Sequence, residues 1–258
     1  MSAQESADRT DRASRAGQLL LDVRQSGRRL DVLPDDLRPQ TAAEAYAIQE
    51  IVLREIGVAG GWKVGAKSPL AEPTCAPLPA TLILRSPHQF PAGAFACNGV
   101  EAELAFTFSR DLPWRNAPYT EAEIPAAVAS VHPAIEVVDS RFHDLAAVDP
   151  LSLLADFQSN GALVLGTGVA LPDSFVPDAQ IVRLDVDGAR TVEGRGGNPA
   201  GNLFRLLAWL ANHVAARCSG LRRGDVVTTG SWSGMRFFPA GTRIAVDFPG
   251  IGGVDLGF

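Results

Sequence analysis

Eight short segments with the composition of β-strands follow one another after residue 80, and only two helical segments interrupt them. Branched and aromatic residues fill these segments, and turn-forming residues separate them. The regular alternation of strands and helices that is typical of a doubly wound parallel sheet is missing, so the order predicts an α+β fold. The predicted strands are 81–84, 100–108, 134–138, 162–165, 181–186, 226–229, 243–248 and 253–258.

The first 68 residues have the pattern of helices rather than strands. We expect roughly the first 15 residues, which are polar and charged, to be disordered, and a helix to follow and end near Ser26. Thr41 and Glu44 form a capping box that begins a second helix with regularly spaced apolar residues. These features predict a small helical N-terminal region, 1–68, and a β-rich main domain, 69–258.

Two further helices are predicted inside the β-rich part. Thr120 and Glu123 form another capping box, which predicts a helix that runs toward residue 130. A regular stripe of leucines predicts the strongest helix of the chain, from about residue 202 to 218, and Gly220 ends it.

Charge and composition narrow the classes of function. A net charge of −6 and the lack of a block rich in lysine or arginine argue against a nucleic-acid partner. The three cysteines include no CxxC pair, which favours a reducing compartment over a disulfide framework. The polar start predicts no signal peptide, and no apolar stretch is long enough for a membrane helix. We therefore expect a cytoplasmic enzyme or binding protein with no membrane partner.

Two glutamates share one face of the predicted strand 100–108. In the segment VEAELAF, Glu101 and Glu103 lie about 7 Å apart along the strand, and no lysine or arginine occurs within five residues on either side. A solvent-exposed strand face and a cation site explain this pattern equally well. Glu136, between the apolar Ile135 and Val137, is the candidate for a third ligand. Three carboxylates without histidine or cysteine would favour Mg²⁺ or Mn²⁺ over zinc.

Two other segments have the residues of a polar site. Lys63 lies between glycines in GGWKVG, residues 60–65, where it could extend to water or point into an acidic site as a general acid or base. The sequence Thr229-Gly230-Ser231 ends a predicted strand. It is either an ordinary turn or a set of hydroxyl and N–H donors for an anion.

Six segments, in this order, resemble one known family. Together they are similar to the 2-keto-4-pentenoate hydratase and 4-oxalocrotonate decarboxylase branch of the fumarylacetoacetate hydrolase superfamily. The resemblance extends from about residue 16 to 258, and it implies a mixed β-roll main domain with a small helical N-terminal region. The segments are GWKVGAKS (61–68), GVEAELAFTFSRDL (99–112), PAIEVVDSRF (133–142), DFQSNGALVLG (156–166), NLFRLLAWLANHVA (202–215) and LRRGDVVTTGSW (221–232).

The resemblance also implies a role for each candidate residue. It implies Mg²⁺ or Mn²⁺ bound by Glu101, Glu103 and Glu136, and it implies Lys63 as the catalytic residue. It further implies a substrate-binding set, which we expect to comprise Ser68, Thr229, Gly230 and Ser231.

The activity that the resemblance implies is a lyase reaction. Such an enzyme adds water to a small 2-hydroxy-2,4-dienoate or unsaturated 2-oxo acid through a metal-stabilised enolate. The same enolate serves a 4-oxalocrotonate-type decarboxylase or an acylpyruvate C–C hydrolase, so both remain alternatives. An inactive partner or binding subunit of this fold is a third. We expect a homo-oligomer and consider association with a decarboxylase or hydratase partner.

This chain departs from the family pattern at two places. Typical hydratases have an acidic residue in a short motif after the lysine, whereas residues 72–87 contain no aspartate and Glu72 is their only acid. Before the long helix, Asn198 stands where the family usually has histidine. The predicted metal ligands are intact, so these departures indicate a different 2-oxo acid or a different outcome from the same enolate.

Overall fold

Four helices and thirteen strands make up the computed structural model, which describes residues 3–258 and their side chains from Asp8 onward. The helices are α1 Ala3–Ser26, α2 Ala42–Ile56, α3 Pro150–Ala155 and α4 Leu203–Arg217. The strands are β1 Ala59–Gly65, β2 Thr74–Pro79, β3 Ile83–Arg85, β4 His88–Gln89, β5 Gly99–Phe108, β6 Val128–Val138, β7 Asn160–Leu165, β8 Ile181–Val186, β9 Ala189–Arg195, β10 Val226–Ser231, β11 Arg236–Phe237, β12 Arg243–Phe248 and β13 Gly252–Gly257.

The strands form two mixed sheets. The larger has eight strands in the order β2-β1-β10-β5-β6-β7-β3, and β11 pairs with one end of β5. The smaller has five, in the order β4-β13-β12-β8-β9. Strands β1 and β10 run parallel, whereas β5 is antiparallel to both of its long neighbours. The α+β prediction is confirmed, and the large sheet is open rather than closed into a barrel.

All eight predicted strand segments overlap an observed strand. The pattern missed five strands. Strands β4 and β11 have only two residues each, β9 is mostly exposed, and β1 and β2 are rich in residues that disfavour strands. Strand β1 has three glycines in seven residues, and β2 has two prolines in six. Proline is tolerated in β2 because this strand lies at the edge of the sheet, where one side needs no donors.

Residues 3–15, which we expected to be disordered, are helical in the structure. Helix α1 begins at Ala3, and residues 1–2 lie outside the described residues. Arg12 donates a 2.6 Å hydrogen bond to Glu44, the N3 residue of α2, and Gly17 permits close contact with Ile51. The charged N-terminal segment is helical because its contact with Glu44 and its small residues allow it to pack against α2.

The predicted helix from Thr120 is also wrong. The capping box at Thr120 exists, but it begins only two successive 3₁₀ turns, Glu121–Glu123 and Pro125–Ala127. Pro125 lacks the N–H that a continuing helix would need. Val128 then begins β6, whose long pairing with β5 determines the conformation of this segment.

The N-terminal region contributes a strand as well as two helices, since β1 lies within the large sheet between β2 and β10. The division into domains 1–68 and 69–258 stays a prediction. Helix α2 was predicted correctly, with Thr41 as its N-cap, and so was α4, with Asn202 as its N-cap. Among residues 3–258, no helix combines the length and apolar character of a membrane span.

Candidate metal centre

Three glutamates converge on one face of the large sheet. Glu101 and Glu103 are two residues apart on β5 and so share one face, and Glu136 on β6 is the direct cross-strand partner of Glu101. One carboxylate oxygen of each lies within 4.8 Å of the others. Glu103 is 1% exposed and Glu136 is fully buried. This burial argues against a solvent-exposed strand face, the simpler of the two explanations for the paired charges.

Strand β10 supplies two hydrogen bonds to Glu103. The Thr228 hydroxyl and the Gly230 N–H, at 3.0 Å, both donate to Glu103 Oε2. Thr229 was among the predicted site residues, and Thr228 was not. The Thr229 hydroxyl points the other way and donates to the carbonyl of Leu104 at 2.8 Å. Strand register places Thr228 at the site, because Thr228 is the cross-strand partner of Lys63 and so shares its face.

Lys63 points into the acidic cluster and not to water. Its side chain is 13% exposed, and its Nζ lies 2.5 Å from Glu136 Oε1. Nζ also donates to the carbonyl of Gln158 at 3.1 Å. The Asn160 amide donates to the same Glu136 oxygen at 3.0 Å, whereas Glu136 Oε2 is buried with no hydrogen-bond partner among the described residues. Gln158 and Asn160 are therefore site residues that the sequence analysis did not single out.

The predicted substrate-binding residues separate into two groups. Ser231 is the cross-strand partner of Glu103, and its hydroxyl is buried without a hydrogen-bond partner among the described residues. Gly230 lies beside it. Ser68, in contrast, accepts a hydrogen bond from the Ala71 N–H within a surface turn. Ser231 and Gly230 therefore lie beside the glutamates, whereas the Ser68 hydroxyl is bound within its own turn.

Asn198, where the resemblance led us to expect a histidine, fixes the turn at Gly230. Its amide donates to the carbonyls of Thr229 at 2.8 Å and Gly230 at 3.1 Å, and its oxygen accepts from the Ala200 N–H at 3.0 Å. Gly230 has a φ of 89°, in the left-handed region that favours glycine. One side chain thus fixes the backbone that donates to Glu103.

Segment 72–87 contributes no carboxylate to the cluster. Glu72, its only acid, is exposed and accepts a hydrogen bond from Trp209 Nε1 at 2.7 Å. The segment does contact the site indirectly, because Thr74 accepts a 2.6 Å hydrogen bond from the side chain of Gln158. Segment 72–87 therefore adds no carboxylate to the three glutamates.

The carboxylates lack enough positive charge to balance them. Burial, with the nearby charge of Glu136, raises the pKa of Glu101 to about 7. Burial, with the charges of Glu136 and Glu101, holds the pKa of Glu103 well above its usual value. Burial alone would lower the pKa of Lys63, but the three glutamates outweigh it and raise that pKa. One ammonium group faces three acids, so the cluster favours a further cation.

The residues present fit a divalent metal ion. Glu136 Oε2 is an orphaned buried acceptor, and oxygens of Glu101 and Glu103 lie within reach of the same point. An all-oxygen donor set suits hard cations such as Mg²⁺, Mn²⁺ or Ca²⁺. The fit agrees with the metal site expected from the sequence.

A cavity of about 290 Å³ lies on the opposite face of β1, between the sheet and helices α2 and α4. Trp62 lines it, together with Tyr46 and His213. Because Trp62 and Lys63 are successive residues of one strand, they point to opposite faces. This cavity is therefore separate from the glutamate cluster.

Comparison with known proteins identifies the family of this chain. The family model described as "Fumarylacetoacetate (FAA) hydrolase C-terminal" matches residues 65–256. The chain therefore belongs to the fumarylacetoacetate hydrolase family. It is 32% identical to a 2-keto-4-pentenoate hydratase of Burkholderia vietnamiensis, over 93% of this chain and 94% of that protein. It is 28% identical to a 2-hydroxyhexa-2,4-dienoate hydratase of Comamonas testosteroni, over 94% and 96%.

Solved structures share the fold. The 4-oxalocrotonate decarboxylase of Pseudomonas putida G7, complexed with calcium and acetate, superposes with a TM-score of 0.84 at 22% identity. That match covers 96% of this chain and 97% of the decarboxylase. A second structure of the same decarboxylase is complexed with magnesium and adipate and has a TM-score of 0.82. The predicted β-roll of this superfamily, with its helical N-terminal region, is confirmed.

Proposed function

We propose that the protein is a divalent-metal-dependent hydro-lyase that adds water to a small 2-hydroxy-2,4-dienoate or unsaturated 2-oxo acid. The observation that carries the proposal is the convergence of Glu101, Glu103 and Glu136 with the buried Lys63 on one sheet face. The hydratases of Burkholderia vietnamiensis and Comamonas testosteroni support it, because the similarity to them covers more than nine-tenths of the chain.

Glu101, Glu103 and Glu136 would hold Mg²⁺ or Mn²⁺. When bound, such a cation stabilises the negative charge that develops on the oxygens of a 2-oxo acid during proton transfer. The protein fixes these ligands in advance. Thr228 and Gly230 orient Glu103, and Asn160 and Lys63 orient Glu136. Preorganised ligands need no rearrangement at the moment of reaction.

Lys63 is the proposed proton carrier. Its raised pKa keeps a proton on Nζ at neutral pH, and the contacts with Glu136 Oε1 and the Gln158 carbonyl hold that atom in place. Water addition places a hydroxyl group on one carbon of the substrate and a hydrogen on another. Lys63 would deliver the hydrogen as a proton from Nζ and regain one from solvent after product leaves.

Ser231 is the proposed anchor for the substrate carboxylate. Its buried hydroxyl has no partner among the described residues and lies opposite Glu103. A buried hydroxyl without a partner is costly unless a ligand completes its hydrogen bonds. We infer that a substrate oxygen does so.

A decarboxylase of the 4-oxalocrotonate type is the second candidate, and one observation favours it. The only acid of segment 72–87, Glu72, is bound to Trp209 at the surface, so this segment gives no carboxylate to activate water. Loss of CO₂ from a vinylogous oxo acid requires proton delivery by Lys63 but no attacking water. Cleavage of an acylpyruvate, which needs water, is less favoured on the same ground.

The deciding experiment mixes purified protein and Mg²⁺ or Mn²⁺ with 2-hydroxypenta-2,4-dienoate and, separately, with 4-oxalocrotonate. Loss of dienoate absorbance without CO₂ supports the hydro-lyase. Release of CO₂ from 4-oxalocrotonate supports the decarboxylase. Metal binding with turnover of neither compound would contradict both and favour an inactive partner subunit.

We also propose that the protein forms a homo-oligomer and that it could associate with a decarboxylase or hydratase partner. Leu70 is 96% exposed and Trp114 is 64% exposed, and a subunit contact would cover such large apolar side chains. Light scattering of the purified protein tests this, and a monomeric mass would contradict the homo-oligomer.

A further inference from the structure

A cavity of about 310 Å³ at the end of helix α1 has four arginines in its lining. It lies between the last turn of α1 and the loop that leads into β5. Its charged lining residues are Arg24, Arg28, Arg29, Arg141 and Asp139. Four cations therefore surround this space with a single acid among them.

The nearby acids are already bound by two of the four arginines. Asp139 lies 2.5 Å from Arg29 and also accepts the N–H groups of Ala96 and Cys97, each at 3.0 Å. Behind the cavity, the buried Asp156 accepts two donors of Arg141, its Nε and its backbone N–H. These two pairs leave no carboxylate for the remaining two arginines.

Arg24 and Arg28 have no ion pair with any side chain that the structure describes. Arg24 is partly buried, and its guanidinium carbon lies 5.5 Å from the centre of the Phe157 ring. Burial, together with the positive charge of Arg141, lowers the pKa of Arg24 to about 10. The cavity is thus an electropositive space, with four arginines and one carboxylate in its lining.

We propose that this cavity binds a small oxyanion, of carboxylate or phosphate chemistry, through Arg24 and Arg28. The planar guanidinium group presents paired donors that match the oxygens of either anion. A volume of about 310 Å³ accommodates phosphate or a short dicarboxylate. Arg28, which is exposed, stands at the entrance, and Arg24 lies deeper.

The cavity is connected to Lys63 by a single turn. Phe157, Gln158 and Ser159 have φ values of 54°, 51° and 60°, so three successive residues other than glycine are left-handed. Such conformations are strained and persist only where the surroundings hold them. Arg24 contacts the first of these residues, and the carbonyl of the second accepts the Lys63 hydrogen bond. The proposed coupling is that an anion bound by Arg24 alters the support of Lys63, and it rests on the proposed function.

Binding is tested on metal-free full-length protein, so that no metal ion captures the probe. Inorganic phosphate and succinate are titrated separately by calorimetry, with sodium chloride at matched ionic strength as the blank. We expect saturable binding of at least one probe by the wild type and by Arg110→Gln, an exposed arginine outside the cavity. Which probe binds distinguishes phosphate from dicarboxylate.

Arg24→Gln and Arg28→Gln should each weaken that binding at least tenfold. Arg24→Lys keeps the charge but loses the paired donors, so it serves if Arg24→Gln does not fold by circular dichroism. Equal, non-saturable effects of salt on all variants would overturn the site.

The coupling has its own test, the kcat and KM of the metal-loaded enzyme with and without the probe that binds. We expect a change in kcat that Arg24→Gln abolishes and Arg110→Gln retains. Saturable binding with unchanged kinetics would keep the site and overturn the coupling. A protein without turnover would overturn the proposed function and leave the binding result intact.

Discussion

The Lys63 ammonium nitrogen lies 2.5 Å from Glu136 Oε1, although two strands, β10 and β5, separate their strands in the sheet. The contact between Lys63 and Glu136 therefore spans the sheet face on which Glu101 and Glu103 lie. It joins the proposed proton carrier to a proposed metal ligand through one short contact.

Glu103→Ala is expected to weaken Mg²⁺ or Mn²⁺ binding at least 100-fold, about 2.7 kcal/mol, because the site loses one of three carboxylates. Glu103→Gln is the matched variant, since it keeps the shape of the side chain and loses the charge. Calorimetry with Mn²⁺ measures both affinities. Wild-type affinity in Glu103→Ala would remove Glu103 from the metal site.

Lys63→Ala is expected to retain the metal and lose activity by a factor of about 10²–10⁴, the usual contribution of a positioned acid or base. The metal is retained because no carboxylate is removed. Lys63→Arg separates charge from proton transfer, since arginine stays protonated at neutral pH. Turnover at the wild-type rate in Lys63→Ala would leave this lysine a purely structural role.

Metal binding is expected to release protons and to stabilise the fold more at pH 8 than at pH 5.5. The pKa of Glu101 is raised from 4.5 to about 7 in the folded protein. Its protonated form thus stabilises the metal-free fold below pH 4.5, and this stability is lost as the pH rises through about 7. A bound cation replaces the lost protons.

Thermal unfolding with and without Mg²⁺ at the two pH values measures this effect, and calorimetry in buffers of different ionisation enthalpy counts the protons. The Glu101→Gln variant is the control, because it cannot titrate at this position. An equal rise in Tm at both pH values, with no proton release, would contradict the prediction.

Asn198→Ala is expected to lower the free energy of unfolding by about 1–3 kcal/mol, since it leaves the carbonyls of Thr229 and Gly230 without their donor. It should also weaken metal binding, because the Gly230 N–H supports Glu103. Asn212→Ala is the matched control. Asn212 bonds both backbone groups of Tyr119, and neither residue belongs to the glutamate cluster.

Chemical denaturation gives the stabilities of both asparagine variants, and Mn²⁺ calorimetry gives their affinities. The control should lose stability and keep its metal affinity. If the two variants behave alike, Asn198 stabilises the fold without positioning the site. Asn198→His then shows whether the residue usual in the family restores the affinity.

The fold class, most long strands and the four charged residues proposed for the site could be predicted from the sequence. Alternation along VEAELAF placed Glu101 and Glu103 on one face, and apolar neighbours marked Glu136 as buried. The structure brings these residues together with Lys63, and their role as metal ligands stays a prediction. These features depend on patterns within a few residues of the chain.

The hydrogen-bond partners of these four charged residues depend on long-range contacts and could not be predicted from the sequence. Thr228, Gln158 and Asn160 enter the site through strand register and a left-handed turn, which local pattern does not encode. Two 3₁₀ turns and the start of β6, which pairs with β5, also take the place of the helix expected after Thr120. Lys63 and Glu136 are 73 residues apart in sequence, so their contact depends on the order of strands in the sheet and not on either segment alone.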